Sequence, residues 1–211
     1  MKNMRLTVCI GIMCGWLAAG MLHAGTRPDH VRPVEEDGSR LWLPVIRPVE
    51  GAEVEITYKG KVSPTIAIAI AELKNAWKGD PVLLEKKKTG RGDGFAITSS
   101  EHQVRILSST ETGLLYGAYS LLRMQAAGQL TVPLSVTEQP AYDLRILNHW
   151  DNPDGTVERG YAGRSLWNWE ELPGTLSPRY EAYARANASV GINGTVLNNV
   201  NACLLYTSDA A

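Results

Sequence analysis

The chain has 211 residues, 44% hydrophobic and 20% charged, the composition of an ordinary globular chain of one domain or two small ones. Its formal net charge of −1 offers no basic footprint, which argues against nucleic acid as a partner. Six Trp and eight Tyr stand against one Phe, a set of rings that suits carbohydrate faces and equally suits cores and interfaces.

Lys2 and Arg5 precede an uncharged, mostly apolar run from Leu6 to Leu22, which ends in Leu22-His23-Ala24. This pattern predicts a secretory signal over 1–24, cleaved on export. The run is short for a stable membrane span and is interrupted by Thr7, Gly11, Gly15 and Gly20. A secreted protein, periplasmic or extracellular, is expected. Only Cys203 then remains of three cysteines, so no internal disulfide framework and no cysteine metal cluster are possible. Residues 25–39, polar and carrying Pro28 and Pro33, are expected to be a flexible lead-in.

Residues 40–138 read as a small α+β domain. Leu41 to Val45 is apolar and suits an edge strand, and Glu53 to Tyr58 alternates as a half-buried strand does. Ser63-Pro64 is a helix start, with Ile66, Ile70, Leu73 and Trp77 at helical spacing and Gly79 as the expected stop. Val82 to Leu84 is a short strand. The glycines of Gly90-Arg91-Gly92-Asp93-Gly94 precede a strand-like Phe95 to Thr98, not a helix, so they suit a hairpin loop better than a phosphate cradle. Gln103 to Leu107 is a further strand. Thr110 to Ala126 places Leu115, Tyr119, Leu122 and Ala126 on one helical face, with Gly128 as its cap, and Leu130 to Val132 is the last extended piece. Two helices on one face of a largely antiparallel sheet are expected. Glu72, Glu111 and His102 are expected at the surface.

Residues 139–202 read as strand, long loop, helix, strand. Tyr142 to Leu147 runs into Asn148-His149-Trp150-Asp151-Asn152, a helix is expected over about Ser177 to Val190 with Gly191 ending it, and Ile192 to Leu197 runs into Asn198-Asn199-Val200-Asn201. Ligands gather at the carboxyl ends of parallel strands in β/α folds, so these two polar and aromatic strand ends are the candidate site. Trp150 is placed either to stack on a sugar or a methyl group, or to form a core under the loop. Asp151 to Gly155 reads as a tight turn. In Glu158-Arg159-Gly160-Tyr161-Ala162-Gly163-Arg164 an arginine is placed either to hold a substrate carboxylate or to pair internally, as Glu158 with Arg164. Trp167 and Trp169 are read as supporting the loop or facing substrate.

Asn148 to Asn152, Glu158 to Trp167, Tyr183 to Gly194 and Asn198 to Ala202 closely resemble glycoside hydrolase family 67, the xylan α-glucuronidases. Ser109 to Gly117 resembles the end of that family's amino-terminal domain, which is similar to the small domain preceding the barrel in β-hexosaminidases. The resemblance covers about 40–202. It implies an α/β architecture: a small α+β two-layer domain followed by the first β/α unit of an incomplete (β/α)8 TIM barrel. It implies an inverting hydrolase that removes glucuronic acid or its 4-O-methyl ether from xylo-oligosaccharides, with no metal or organic cofactor and a homodimeric full-length parent. The general acid and the base of such a reaction would lie on later barrel strands, so no catalytic residue is expected in this chain. Trp150 and Val200 would border the 4-O-methyl end of the uronic acid, with Glu158 and Arg159 near the same pocket. Residues 203–211 do not resemble the family's continuation and are expected to be a non-native tail after a truncated or misjoined gene end. The other readings are a non-catalytic carbohydrate-binding module and an accessory structural module.

Overall fold

A computed structural model describes Leu43 and residues 54–198, with Asn198 described by its backbone alone. The expected signal segment, the lead-in, most of the 41–45 edge strand, Val200 and the 203–211 tail lie outside the described residues. Ten elements follow in chain order: β1 (Ile56–Lys59), α1 (Pro64–Ala76), β2 (Val82–Lys86), β3 (Phe95–Ser100), β4 (Gln103–Ser108), α2 (Glu111–Ala126), β5 (Ser135–Glu138), β6 (Ile146–Trp150), α3 (Pro178–Ser189) and β7 (Gly194–Asn198).

The first seven elements form a mixed α/β layer pair with an open sheet of strand order β1-β2-β4-β3-β5. The expectation of a largely antiparallel sheet is corrected here. β1–β2 and β2–β4 are parallel, whereas β3–β4 and β3–β5 are antiparallel. The helical connection α1 returns the chain to run parallel to β1, while β3 and β4 are joined tightly enough to pair antiparallel. Register aligns Ile56 with Val82 and Val82 with Val104, and it aligns Ile106 with Ile97 and Ile97 with Val136. These side chains, with Leu84 and Phe95, meet Ile66, Leu73, Leu114 and Leu121 of the two helices in one hydrophobic core. In the alternate strand positions, Arg105 bonds Glu85 at 2.9 Å.

Local signals set the helix ends. Ser63 accepts the Ile66 amide and Thr110 that of Gly113, each satisfying a free donor of the first turn. At the end of α2, Gly128 has φ +65, Gln129 N–H donates to Met124 O and Gly128 N–H to Gln125 O, a Schellman closure. The end of α1 differs from expectation. Trp77 is already extended and caps the helix, its indole N–H donates to Asp80 O at 2.7 Å, and Lys74 is the basic residue of the last turn. Gly79 serves the buried ring: a Cβ there would sit 2.3 Å from it. Leu130 to Val132 is not a strand. The last strand starts at Ser135, after Leu134 is buried and its amide taken by Ser99 Oγ at 2.7 Å.

Two glycines let α2 lie close on the sheet. A Cβ on Gly117 would come within 2.5 Å of Ile106 Cγ2, and one on Gly113 within 2.9 Å of the Asp93 carbonyl. Gly113→Ala is therefore expected to destabilise the fold by about 1–2 kcal/mol, the cost of overpacking less the gain in helix propensity. A lowered urea midpoint with unchanged m would report it. An unchanged or raised midpoint would show that the helix shifts freely.

The remaining elements form a β–α–β unit in which β6 and β7 pair in parallel, Ile146 opposite Gly194 and Trp150 opposite Asn198. Gly194 leaves room for the side chain opposite, since a Cβ there would meet Ile146 Cγ2 at 2.6 Å and that side chain would have to shift. α3 is capped by Ser177 and closed at Gly191, φ +80, by Ile192 N–H to Asn187 O and Gly191 N–H to Ala188 O. One face of the pair is uncovered: Ile146 is 42% exposed, Trp150 46% and Val196 39%.

Three arginines tie the β–α–β unit to the layered sheet. Arg185 of α3 grips both oxygens of Glu72 of α1 at 2.5 and 2.7 Å and also donates to Leu43 O at 2.7 Å. Tyr119 of α2 donates to the same carboxylate at 3.2 Å. Burial, then the Glu72 charge, raises the Tyr119 phenol above its ordinary range. Arg145 pairs with Asp93 at 3.2 Å, lies over the Tyr116 ring and donates to Gly191 O at 2.5 Å, and Arg123 donates to Ser189 O. The last two cations sit at the carbonyl end of α3, where the helix dipole favours positive charge. Glu72 is thus a member of a partly buried network, not the surface residue expected. His102 is exposed as expected, and Glu111 is half-buried, accepting from Ser63.

Candidate functional site

The site is built on the carboxyl end of β6. Strand alternation sends Trp150 to the uncovered face and His149 to the face that meets α3. Among the described residues Trp150 is 46% exposed. Its indole is available at a strand end, as a stacking residue would be.

Beyond Trp150 the chain folds back on itself. Gly155 N–H donates to Asn152 O at 3.0 Å, giving the expected tight turn, with φ +77 at Gly155. The Thr156 hydroxyl, then its amide, bond the Asp154 carboxylate and hold it below the usual range. Asp151 bridges to Val157 and Thr156 to Arg164. Glu158 N–H then donates to Trp150 O at 2.7 Å, and Asn152 Nδ2 donates to Glu158 O at 2.6 Å. Two of the expected site residues, Trp150 and Glu158, are brought together by the backbone. Glu158 sits at φ +58, an unusual conformation for a residue with a Cβ and one that clusters at functional sites. Its carboxylate takes a hydrogen bond from Tyr161, which raises that phenol. Arg159 lies beside it, lining an open hollow with Asn152, Asp154, Thr156 and Glu158. Val200 lies outside the described residues.

Beneath the loop is a cluster that sequence reasoning missed. Asp151 is 2% exposed, His149 Nδ1 stands 3.6 Å from its Oδ1, and Ser165 Oγ donates to its Oδ2. His149 Nε2 lies 2.6 Å from the Tyr183 hydroxyl of α3. Trp167 packs edge-on against both His149 and Tyr183, at 5.5 Å, and against Tyr180 at 5.0 Å. Trp167 thus supports the loop. The available signal was strand alternation: two residues flanking Trp150 must share the opposite face and face the helix that follows. Among the described residues, no group of three or more His, Cys, Asp or Glu is placed to hold a metal, and no helix is long and apolar enough to cross a membrane.

Comparison with known proteins gives homology over part of the chain. Residues 124–210 match the glycosyl hydrolase family 67 middle domain. The chain is 43% identical over 111 residues to a probable α-glucuronidase A of Aspergillus clavatus and 46% over 111 residues to that of Neosartorya fischeri. It is 42% identical over 110 residues to α-glucuronidase A of Aspergillus tubingensis. Each match takes in 52% of this chain and 13% of the relative. Among solved structures, a GH138 enzyme targeting pectin rhamnogalacturonan II superposes with a TM-score of 0.52 over 70% of this chain and 19% of that one, at 15% identity, a likeness of fold alone. Over its middle-domain region, which contains β6, the loop and α3, the chain is homologous to the α-glucuronidases and matches the family 67 model.

Proposed function

We propose that the chain carries the amino-terminal domain and the first β/α unit of an α-glucuronidase, and that Trp150, Glu158 and Arg159 form part of the pocket for glucuronic acid or its 4-O-methyl ether, with Val200 as a further wall. The observation that carries this reading is Trp150, open at the carboxyl end of β6 with Glu158 bonded to its carbonyl, inside the stretch that matches family 67. The part of the uncovered face around Ile146 and Val196 is the surface that further barrel strands would cover, with Trp150 left open at the strand end, and the layered sheet would be the equivalent of the small domain before the barrel in β-hexosaminidases. The substrate is a xylo-oligosaccharide carrying the uronic acid, and the reaction is inverting hydrolysis by an acid and a base on strands beyond this unit. Residues 1–24 direct export, and the parent is a homodimer.

The chain spans 13% of the curated relatives it matches, so the activity is tested in a protein that continues over their length. There, Trp150→Ala removes one aromatic wall, about 1–2 kcal/mol of contact or roughly tenfold in affinity. KM for the uronic acid-bearing oligosaccharide is expected to rise about that much. Unchanged kinetics in this variant would remove Trp150 from the pocket.

A further inference from the structure

We infer that His149 is a positioning residue: through Asp151 it transmits the place of α3 to the loop that holds Glu158 and Arg159 beside Trp150. The inference deepens the α-glucuronidase reading and rests on it for its effect on substrate. The buried Asp151 carboxylate opens the loop and needs polar partners to stay there. It has two. Ser165, at the far end of the loop, donates to Oδ2, and the ring of His149 faces Oδ1 at 3.6 Å. On the other side of that ring, Nε2 meets the Tyr183 hydroxyl at 2.6 Å. Where Tyr183 donates to Nε2, the proton lies on Nδ1, on the side of the carboxylate, and at 3.6 Å that contact is electrostatic and longer than a hydrogen bond. The chain of contacts runs from helix to strand to both ends of the loop, since Ser165 Oγ also accepts the Trp167 amide at 2.9 Å. His149 points away from the open face on which a sugar would lie, so its influence reaches the loop through Asp151 and through the Trp167 ring packed against it. Without it the loop keeps its sequence and loses one of the two anchors of its first residue.

The test separates the nitrogens from the ring. His149→Phe keeps a ring against Trp167 and Tyr183 and removes both nitrogens, whereas His149→Asn keeps a donor toward Asp151. The readout in the 211-residue chain is hydrogen exchange at the amides of Asn152, Val157, Glu158 and Ser165, all bonded within the folded-back loop. His149→Phe is expected to speed their exchange about tenfold or more while the amides of β2 and β4 keep theirs, and His149→Asn to restore most of the protection. Loop protection unchanged in His149→Phe would overturn the inference. If that variant loses its far-UV circular dichroism, Tyr183→Phe takes its place, with a smaller loosening of the same amides expected and none counting against the inference. In the longer protein, His149→Phe should raise KM for the uronic acid-bearing oligosaccharide more than it lowers kcat, and an equal fall in kcat with no change in KM would count against positioning. Loop loosening in the 211-residue chain together with a folded longer protein that turns nothing over would leave the His149 assignment standing and remove the α-glucuronidase reading. Activity without loosening would do the reverse.

Discussion

Arg185→Ala is expected to lower the unfolding free energy by about 3 kcal/mol, the scale for breaking a largely buried ion pair from one side. The side chains of Arg185 and Glu72 are 18% and 16% exposed, and the grip is bidentate, with a third hydrogen bond to Leu43 O. The alanine leaves the Glu72 carboxylate with Tyr119 as its remaining side-chain donor at 3.2 Å, and it strips the Leu43 carbonyl of its guanidinium partner. The cost of a charge left without its counterion exceeds the net worth of the pair. Glu72→Gln/Arg185→Met should therefore recover part of the loss, because neither charge then remains to be solvated. Urea unfolding of the three variants checks this. A fall below about 0.5 kcal/mol in Arg185→Ala would mean that the pair behaves as an exposed one and that α3 is held by packing alone.

Much of the fold was legible because local chemistry and tertiary packing agree. Ser63-Pro64, Thr110, Gly128 and Gly191 each mark a helix end by stereochemistry that needs no long-range partner, and each marks it in the structure. What misled was local signal overruled from a distance. Gly79 looked like a stop, but the buried Trp77 ring ends the helix earlier and needs Gly79 as space. Glu72 looked like a surface acid because its partner lies 113 positions away in α3. The parallel half of the sheet was hidden because pairing partners are not written in strand propensity. At the site, Trp150 and Glu158 were legible as candidates by residue type and by family resemblance. Their joining by one backbone hydrogen bond depends on a residue at φ +58, which composition does not disclose. His149 and Asp151 were visible as residues and silent as a pair, since 3.6 Å of separation is a property of the folded strand end.

The second large effect is on turnover. A positioned acid and a positioned base each typically contribute about 10²–10⁴ in rate, and inversion needs them about 6.5–9.5 Å apart on opposite faces of the scissile bond. The acids nearest the site are otherwise engaged: Asp151 is buried against His149 and Ser165, Asp154 is held by Thr156, and Glu158 accepts from Tyr161. In the proposed α-glucuronidase these residues serve recognition and support, and the acid and base lie on further barrel strands. The most direct measurement is release of free uronic acid from a xylo-oligosaccharide bearing it, compared between the purified 211-residue chain and a protein that continues over the length of the family 67 relatives. No release by the 211-residue chain and steady turnover by the longer protein, with inverted anomeric configuration in the product, is the predicted result. Turnover by the 211-residue chain, or a folded longer protein that releases nothing, would contradict the account.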